Sequence, residues 1–382
     1  MRIAYLGPPG TFSQQAAVDY AADADLVAFP SITAAATSVL SGEADEAVCP
    51  IENSLQGAVT DALDSLLHED GLRIRQELTI DIVHDLMVKP GVVLAGIQRV
   101  YSHPQALGQC RQYLQQHLPS VELAAALSTA GAVEQAMASE VPAAAIAPGP
   151  AAEIYGAQIL ASGIQDDNSN VTRFVVLAKA DHPSTGNDLT SVAMAFSQDR
   201  PGQLFNVLKD FADRNINLTK IESRPTRLGL GKYYFLVDFE GHRDDPALAE
   251  VLKRMQRNAS LVKVFGSYPR MTIRPYLASL VRESAALHGY GSRERVIYPG
   301  FEADVVLQSG DTEIGVQITA SSSFEGTLRT TEALLDAGLA RAIFVFADPA
   351  VAQLAQAYAA KWPEHLSSFT SFTTANRIGQ LL

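Results

Sequence analysis

Four times in the first 130 residues a short apolar strand runs into a turn of glycine, proline, hydroxyls or amides, and a helical pattern follows at once. The turns are Gly7-Pro8-Pro9-Gly10-Thr11-Phe12-Ser13, Pro50-Ile51-Glu52-Asn53-Ser54, Ser102-His103-Pro104-Gln105 and Ser128-Thr129-Ala130. A fifth polar turn, Asn170-Val171-Thr172-Arg173-Phe174, leads into an apolar run ending at Leu177. Such alternation commits a chain to an α/β unit, because each helix must bury its apolar stripe on a sheet, and ligands bind at the strand ends. Strands are expected near 2–6, 46–51, 98–101, 121–126, 143–146 and 173–178. Helices are expected over 11–22, 31–41, 54–68, 103–117, 128–139 and 149–155, in a largely parallel sheet. Residues 78–88 read as a long strand entering a second lobe and 172–177 as the return. Two lobes joined by two crossings make a cleft that can close on a ligand.

The rhythm then changes. Residues 180–189 are polar with Pro and Gly, a linker composition. Over 190–270 the pattern is strand 191–197, helix 202–213, strands 216–223 and 232–240, helix 246–257 and strand 261–267, the split βαβ ferredoxin-like plan. A third unit, 277–382, shows strands near 303–307, 313–318 and 342–346 with helices near 323–337 and 349–361.

Composition excludes several classes. The chain has 382 residues and a net charge of -13, which speaks against a nucleic-acid-binding surface. An anionic ligand must therefore be held by local dipoles and a few cations. Hydrophobic content of 47% and charged content of 19% fit compact soluble domains rather than disorder. Two cysteines, Cys49 and Cys110, fit a reducing cytoplasm rather than a disulfide scaffold. There is no CxxC, HExxH or Cys/His cluster to indicate a metal. The start, Met1-Arg2-Ile3-Ala4-Tyr5-Leu6, goes straight into a strand and lacks the tripartite form of a signal peptide. No apolar stretch is long and clean enough to span a bilayer.

The first N–H groups of a helix lack intrahelical partners, and the dipole there favours anions. Thr11, Ser13, Asn53, Ser54, Ser128 and Thr129 stand at such starts, where each is either a helix cap or a ligand contact. A cleft lined this way suits a small carboxylate or a dianion. Gly7 and Gly10 allow close backbone approach, but the loop is neither a Walker A nor a dinucleotide fingerprint. The Thr172 hydroxyl is either satisfied locally on its strand or donates a hydrogen bond to a departing hydroxide. Arg173 either grips a substrate carboxylate or braces the strand in an ion pair. His103 and Glu52 are candidate proton donors, against capping and structural acceptor roles.

The five segments GPPGTFS, PIENSLQGAV, SHPQAL, STAGAV and NVTRF resemble, in the same order, the hallmark segments of the prephenate dehydratase family, over about 1–180. The resemblance implies a two-lobed periplasmic-binding-protein-like catalytic domain at 1–180, with its second lobe at about 80–170. It implies a cytoplasmic hydro-lyase that converts prephenate to phenylpyruvate in phenylalanine biosynthesis, with no cofactor and no metal. Thr172 then assists the leaving hydroxyl, and Thr11, Asn53, Ser54, Ser102, Gln105, Ser128, Thr129 and Arg173 are expected substrate contacts. Residues 190–270 resemble an ACT regulatory domain. Gly202, Gln203 and Leu204 stand in its glycine-led ligand loop, and Glu222, Ser223 and Arg224 in its ESRP segment. The resemblance implies that L-phenylalanine binds there between paired domains in a homodimer or homotetramer, and inhibition is the expected sign. No nucleic acid or membrane is expected as a partner.

Residues 277–382 depart from that architecture and weakly resemble restriction-endonuclease-like cores. Asp304 and Gln317 fit the metal-site spacing, but Gly315 stands where an acidic ligand is needed, so a catalytically dead module, or a small α/β appendage that packs on the rest or binds a partner, is expected. The rival readings are an arogenate dehydratase, a non-catalytic sensor of small anions and a nuclease.

Overall fold

The structure is a computed structural model that describes residues 1–167, 170–197, 200–226, 233–270, 273–298, 301–319, 325–346 and 349–382. It divides into a unit of residues 1–270 and a unit of residues 271–382.

The first lobe contains β1 (Arg2–Leu6), α1 (Phe12–Tyr20), β2 (Asp25–Phe29), α2 (Ile32–Ser41), β3 (Glu46–Asn53), β4 (Gly57–Ala58), α3 (Thr60–His68) and β5 (Arg73–Asp81). The chain crosses into a second lobe of β6 (Asp85–Val88), β7 (Arg99–Ser102), α4 (Pro104–Gln109), α5 (Arg111–His117), β8 (Glu122–Ala125), α6 (Thr129–Ala138), β9 (Ala143–Ala147), α7 (Pro150–Tyr155) and β10 (Gln158–Ala161). It returns through β11 (Val171–Ala178). The first sheet has the order β2-β1-β3-β11-β5, with β4 paired to β3, and the second β10-β6-β9-β7-β8.

The two-lobed plan expected from the strand–turn–helix pattern is present, but the sheets are mixed rather than largely parallel. Strand β1 is parallel to β2 and β3, and β7 to β8 and β9. The strands that carry the crossings are antiparallel to their neighbours: β11 to β3 and β5, and β6 to β9 and β10. Residues 78–88 are two strands parted at 82–84, where the chain passes between lobes. Helix 54–68 begins only at Thr60, because the preceding residues turn and pair as β4. The 103–117 helix is broken at Cys110, which has φ -116° and ψ 21°. Strand β9 is buried at every residue, which is why it reads as an unbroken apolar run.

The βαββαβ segment is β12 (Asp188–Ala195), α8 (Gln203–Ala212), β13 (Leu218–Pro225), β14 (Tyr233–Glu240), α9 (Pro246–Asn258) and β15 (Leu261–Pro269), with sheet order β13-β14-β12-β15. Val207 and Phe211 of α8 and Leu248, Val251 and Met255 of α9 cover one face of that sheet. The other face shares a core with the first lobe: Leu189, Ala193, Leu236, Phe265 and Tyr268 pack with Leu63, Leu72, Ile74 and Val175. Gly266 lets the backbones meet. A Cβ there would lie 2.1 Å from the Ile74 carbonyl oxygen, so no larger residue fits.

The second unit contains α10 (Ile273–Leu287), β16 (Gly291–Tyr298), β17 (Phe301–Ser309), β18 (Thr312–Thr319), α11 (Glu325–Asp336), β19 (Arg341–Phe346), α12 (Pro349–Ala359), α13 (Glu364–Phe369) and β20 (Thr370–Thr374), in sheet order β16-β17-β18-β19-β20. Asp304 accepts a hydrogen bond from the Ile318 N–H at 2.7 Å. A Cβ at Gly315 would lie 2.6 Å from Leu334 Cδ2, so leucine fills the space an acidic ligand would need. No group of three metal-ligating side chains occurs among the described residues. No helix of the described residues is long and apolar enough to cross a membrane.

Candidate active site

All five polar turns meet at one cavity of about 520 Å³. Its lining includes Thr11, Phe12 and Ser13 from the first turn, Pro50 and Asn53 from the second, His103 and Gln105 from the third, Ser128 and Thr129 from the fourth, and Thr172 and Phe174 from the fifth. Among the described lining residues none is Asp, Glu, Lys or Arg. The helix starts that border it are one source of attraction for an anion. Thr11 caps α1 by accepting from Gln14 N–H at 3.4 Å, and Ser128 caps α6 by accepting from Gly131 N–H at 2.9 Å. Each cap takes one N–H of its first turn, and each helix start carries roughly half a positive charge. Thr11 and Ser128 are thus caps that also border the cavity.

Thr172 and Asn53 form its polar centre. Thr172 on β11 lies opposite Asn53 on β3 in the sheet register. The Asn53 side chain is 6% exposed and its amide is fully used. Its Oδ1 accepts from Leu55 N–H and Gln56 N–H, each at 3.1 Å, which fixes which end is oxygen. Its Nδ2 donates to Asn170 Oδ1 at 2.7 Å, to Thr172 Oγ1 at 2.9 Å and to Val171 O at 3.3 Å. With the Thr172 oxygen already accepting from Asn53, the Thr172 O–H is left to donate into the cavity.

Three expected substrate contacts lie elsewhere. Ser102 is fully buried and donates to Ile146 O at 2.7 Å, so it ties β7 to the end of β9. Ser54 is zipped to β11: its N–H donates to Val171 O at 2.9 Å and its Oγ accepts from Val171 N–H at 3.0 Å. Arg173 braces the strand, the second of its two readings, because successive residues of β11 face opposite sides and Thr172 takes the cavity side. Its guanidinium meets Glu77 at 2.8 Å and Asp238 at 3.0 Å. Glu52 pairs with Lys220 at 2.9 Å, an acceptor in a salt bridge. Thr11, Asn53, Gln105, Ser128, Thr129 and Thr172 do border the cavity.

The sequence pattern missed His84 and Gln109, which both line it. His84 sits in the crossing between lobes, 2% exposed, edge-on to Phe12 at 5.5 Å, with Nε2 bonded to Gln109 Oε1 at 2.8 Å. Burial lowers its pKa, with Gln109 and Asp85 opposing, so the ring is held towards its neutral form. His84 Nδ1, Gln109 Nε2 and Asn170 Nδ2 are buried without a hydrogen-bond partner among the described residues. Such groups are costly unless a ligand or water completes them. The i, i+4 spacing of Gln105 and Gln109 on one helix was a readable signal for Gln109. His84 lies at no strand-to-helix corner and left none.

In the βαββαβ segment, Gly202 has φ +85° immediately before α8, a conformation that favours glycine. Gln203 Oε1 accepts from Arg200 N–H at 3.1 Å, and Leu204 packs against the α8–α9 core. Glu222 pairs with Lys220 at 3.3 Å, and Ser223 is exposed. Arg224 is buried and turned to the first lobe, where it meets Asp64 at 2.6 Å and Thr60 O at 3.3 Å.

The prephenate dehydratase family model matches residues 3–182, and the ACT domain model matches residues 191–256. A prephenate dehydratase of Mycobacterium marinum is 41% identical over 280 residues, covering 70% of this chain and 88% of that protein. A bifunctional chorismate mutase/prephenate dehydratase of Stutzerimonas stutzeri is 40% identical over 275 residues, covering 72% and 74%. The solved structure of prephenate dehydratase from Arthrobacter aurescens in complex with L-Phe matches with a TM-score of 0.65 at 38% identity, over 71% of this chain and 90% of that one. That of GqqA, described as a novel type of quorum quenching acylase, matches with a TM-score of 0.64 at 29% identity, over 72% and 100%. On these likenesses, and with its five hallmark turns gathered around one cavity, the chain belongs to the prephenate dehydratase family.

Proposed function

We infer that the protein is a hydro-lyase that converts prephenate to phenylpyruvate, and that Thr172 is its catalytic hydroxyl. The Asn53–Thr172 pair carries this reading: it presents an O–H donor in a cavity ringed by helix starts and free of charged side chains among its described lining residues. The two carboxylates of the substrate meet helix N-termini from both lobes, α1 on one side and α6 on the other. The pair of electrons from the bond to the ring carboxylate becomes a ring π bond as carbon dioxide leaves. The bond to the ring hydroxyl breaks towards oxygen, and the Thr172 O–H stabilises the departing hydroxide. Aromatisation drives the step, and the protein supplies pose and one directed donor.

Acyl transfer, as in the acylase relative, asks for an activated nucleophile. The bond described at Thr172 runs the other way, since its oxygen accepts from Asn53. L-phenylalanine is the expected inhibitor, bound at Gly202–Leu204 and Glu222–Arg224 between paired regulatory domains of a homodimer or homotetramer. The L-Phe complex of the Arthrobacter relative and the open edge strand β13 support this. Two free cysteines, Cys49 and Cys110, support a cytoplasmic location. The test is phenylpyruvate absorbance after mixing with prephenate, with and without phenylalanine, and with arogenate as the competing substrate. No product from prephenate overturns the reading.

A further inference from the structure

The residue next to the catalytic threonine is held by the regulatory domain. Arg173 NH2 donates to the Tyr268 hydroxyl at 2.9 Å, and Arg173 NH1 to Asp238 Oδ2 at 3.0 Å. Ser191 Oγ donates to Asp238 Oδ1 at 2.6 Å and lies 2.6 Å from the Tyr268 hydroxyl. Because Ser191 spends its one proton on Asp238, the Tyr268 O–H must donate to Ser191. The result is a closed ring: arginine to tyrosine, tyrosine to serine, serine to aspartate, arginine to aspartate. Tyr268 is fully buried, and Ser191 is 3% exposed. The catalytic domain supplies Arg173 itself and two carboxylates beside it, Glu77 at 2.8 Å from its Nε and Glu52 at 3.6 Å from its NH1.

The neighbouring pairs in the sheet put this ring one residue from the chemistry. Thr172 lies opposite Asn53 and Arg173 opposite Glu52, and the register shifts between Arg173 and Phe174. The extra residue there is Ile51 of β3, while β11 keeps an unbroken register with β5 from Val171 to Val176, so Thr172 and Arg173 sit on one continuously paired strand. Turning Arg173 turns Thr172 with it, since adjacent strand residues share one backbone.

We propose that Arg173 is a positioning residue: through the Tyr268–Ser191–Asp238 ring, the regulatory domain sets the direction of the Thr172 hydroxyl and so acts on turnover rather than on substrate affinity. This rests on the reading of Thr172 as the catalytic hydroxyl. The domain expected to take phenylalanine is the one that grips the catalytic strand, and two packings of that grip would give two activities.

The test is steady-state kinetics of the full chain with prephenate for Tyr268→Phe, Asp238→Asn, Thr190→Val and Thr172→Val. Thr190 is the control. It lies on the same strand as Ser191, is fully buried, and donates to Gly241 O at 2.7 Å outside the ring. Loss of aim by a fraction of an ångström should lower kcat in Tyr268→Phe and Asp238→Asn by about tenfold, with KM within about twofold of the parent. Thr190→Val should keep the parent kcat. Parent kcat in folded Tyr268→Phe and Asp238→Asn, or an equal loss in Thr190→Val, overturns the proposal. Should Tyr268→Phe not fold, Asp238→Asn, which keeps the side-chain volume, decides by the same comparison. Parent kcat in Thr172→Val instead sinks the underlying reading, whatever the ring variants do.

Discussion

Asn53→Asp reverses a single hydrogen-bond direction and should convert the enzyme into one that works better in acid. The introduced carboxylate keeps one oxygen on the Leu55 and Gln56 N–H groups. Its other oxygen then faces two obligate acceptors, Asn170 Oδ1 and Val171 O, at 2.7 and 3.3 Å from the present amide nitrogen, and the Thr172 hydroxyl at 2.9 Å, which can turn to donate. Leaving buried acceptors unpaired costs about 1–3 kcal/mol each. Protonation relieves this, and a penalty of about 4 kcal/mol corresponds to a rise of roughly three pKa units, from about 4 towards about 7. The two backbone N–H donors pull part of that rise back. Above the raised pKa the charged oxygen accepts a hydrogen bond from the Thr172 O–H, so the hydroxyl no longer points at substrate. Loss of one aimed donor costs roughly 10²–10³ in kcat, or about 2.7–4 kcal/mol. Below it, the new O–H donates to one acceptor, and activity returns in part.

Stability follows the same sign. The folded state binds the proton more tightly than the unfolded chain, so the variant's extra stability is present in acid and is lost as pH rises through the raised pKa. The assay is kcat and thermal unfolding of parent and variant from about pH 5.5 to 8.5, a range that brackets the raised value. Parent-like kcat at neutral pH, or a pH profile parallel to the parent's, refutes the directed-donor account.

His84→Gln should flatten the pH dependence of stability. Burial holds the His84 pKa below its ordinary value near 6.5, so the unfolded state binds more protons and the parent loses stability as pH falls through that region. Parallel Tm slopes in parent and variant would contradict this. Gly266→Ala forces a Cβ to within 2.1 Å of the Ile74 carbonyl oxygen. It should destabilise the chain by about 3 kcal/mol, with an altered phenylalanine response, because overpacking displaces backbone. A parent-like Tm would mean the two sheets do not meet there. Truncation after residue 276 should preserve prephenate turnover, since the unit ending at Arg270 holds the whole cavity lining. A folded but inactive truncation would make the C-terminal unit part of the enzyme.

Strand–turn–helix corners were legible because each needs a cap or glycine of particular chemistry, and Thr11, Ser128 and Gly202 occupy such positions. Which face a residue takes was not. Thr172 and Arg173 are adjacent and both polar, and only the pairing with β3 and β5 sends one to the cavity and the other to Glu77 and Asp238. Ser102 likewise looked like a corner contact, but Ile146 O on a strand 44 residues away claims its hydroxyl. The antiparallel placement of β11 depends on where a returning strand inserts, which local periodicity does not encode. His84 became visible only when the crossing placed it between Phe12 of one lobe and Gln109 of the other.

Thr172→Val is the most direct measurement. It removes a hydroxyl at constant shape, and Asn53 Nδ2 keeps Asn170 Oδ1 and Val171 O as acceptors, so the fold should hold. Phenylpyruvate formation from prephenate should fall by roughly 10²–10³ in kcat at unchanged Tm. A folded variant that turns over at the parent rate would show that no hydroxyl at this position assists the departing hydroxide.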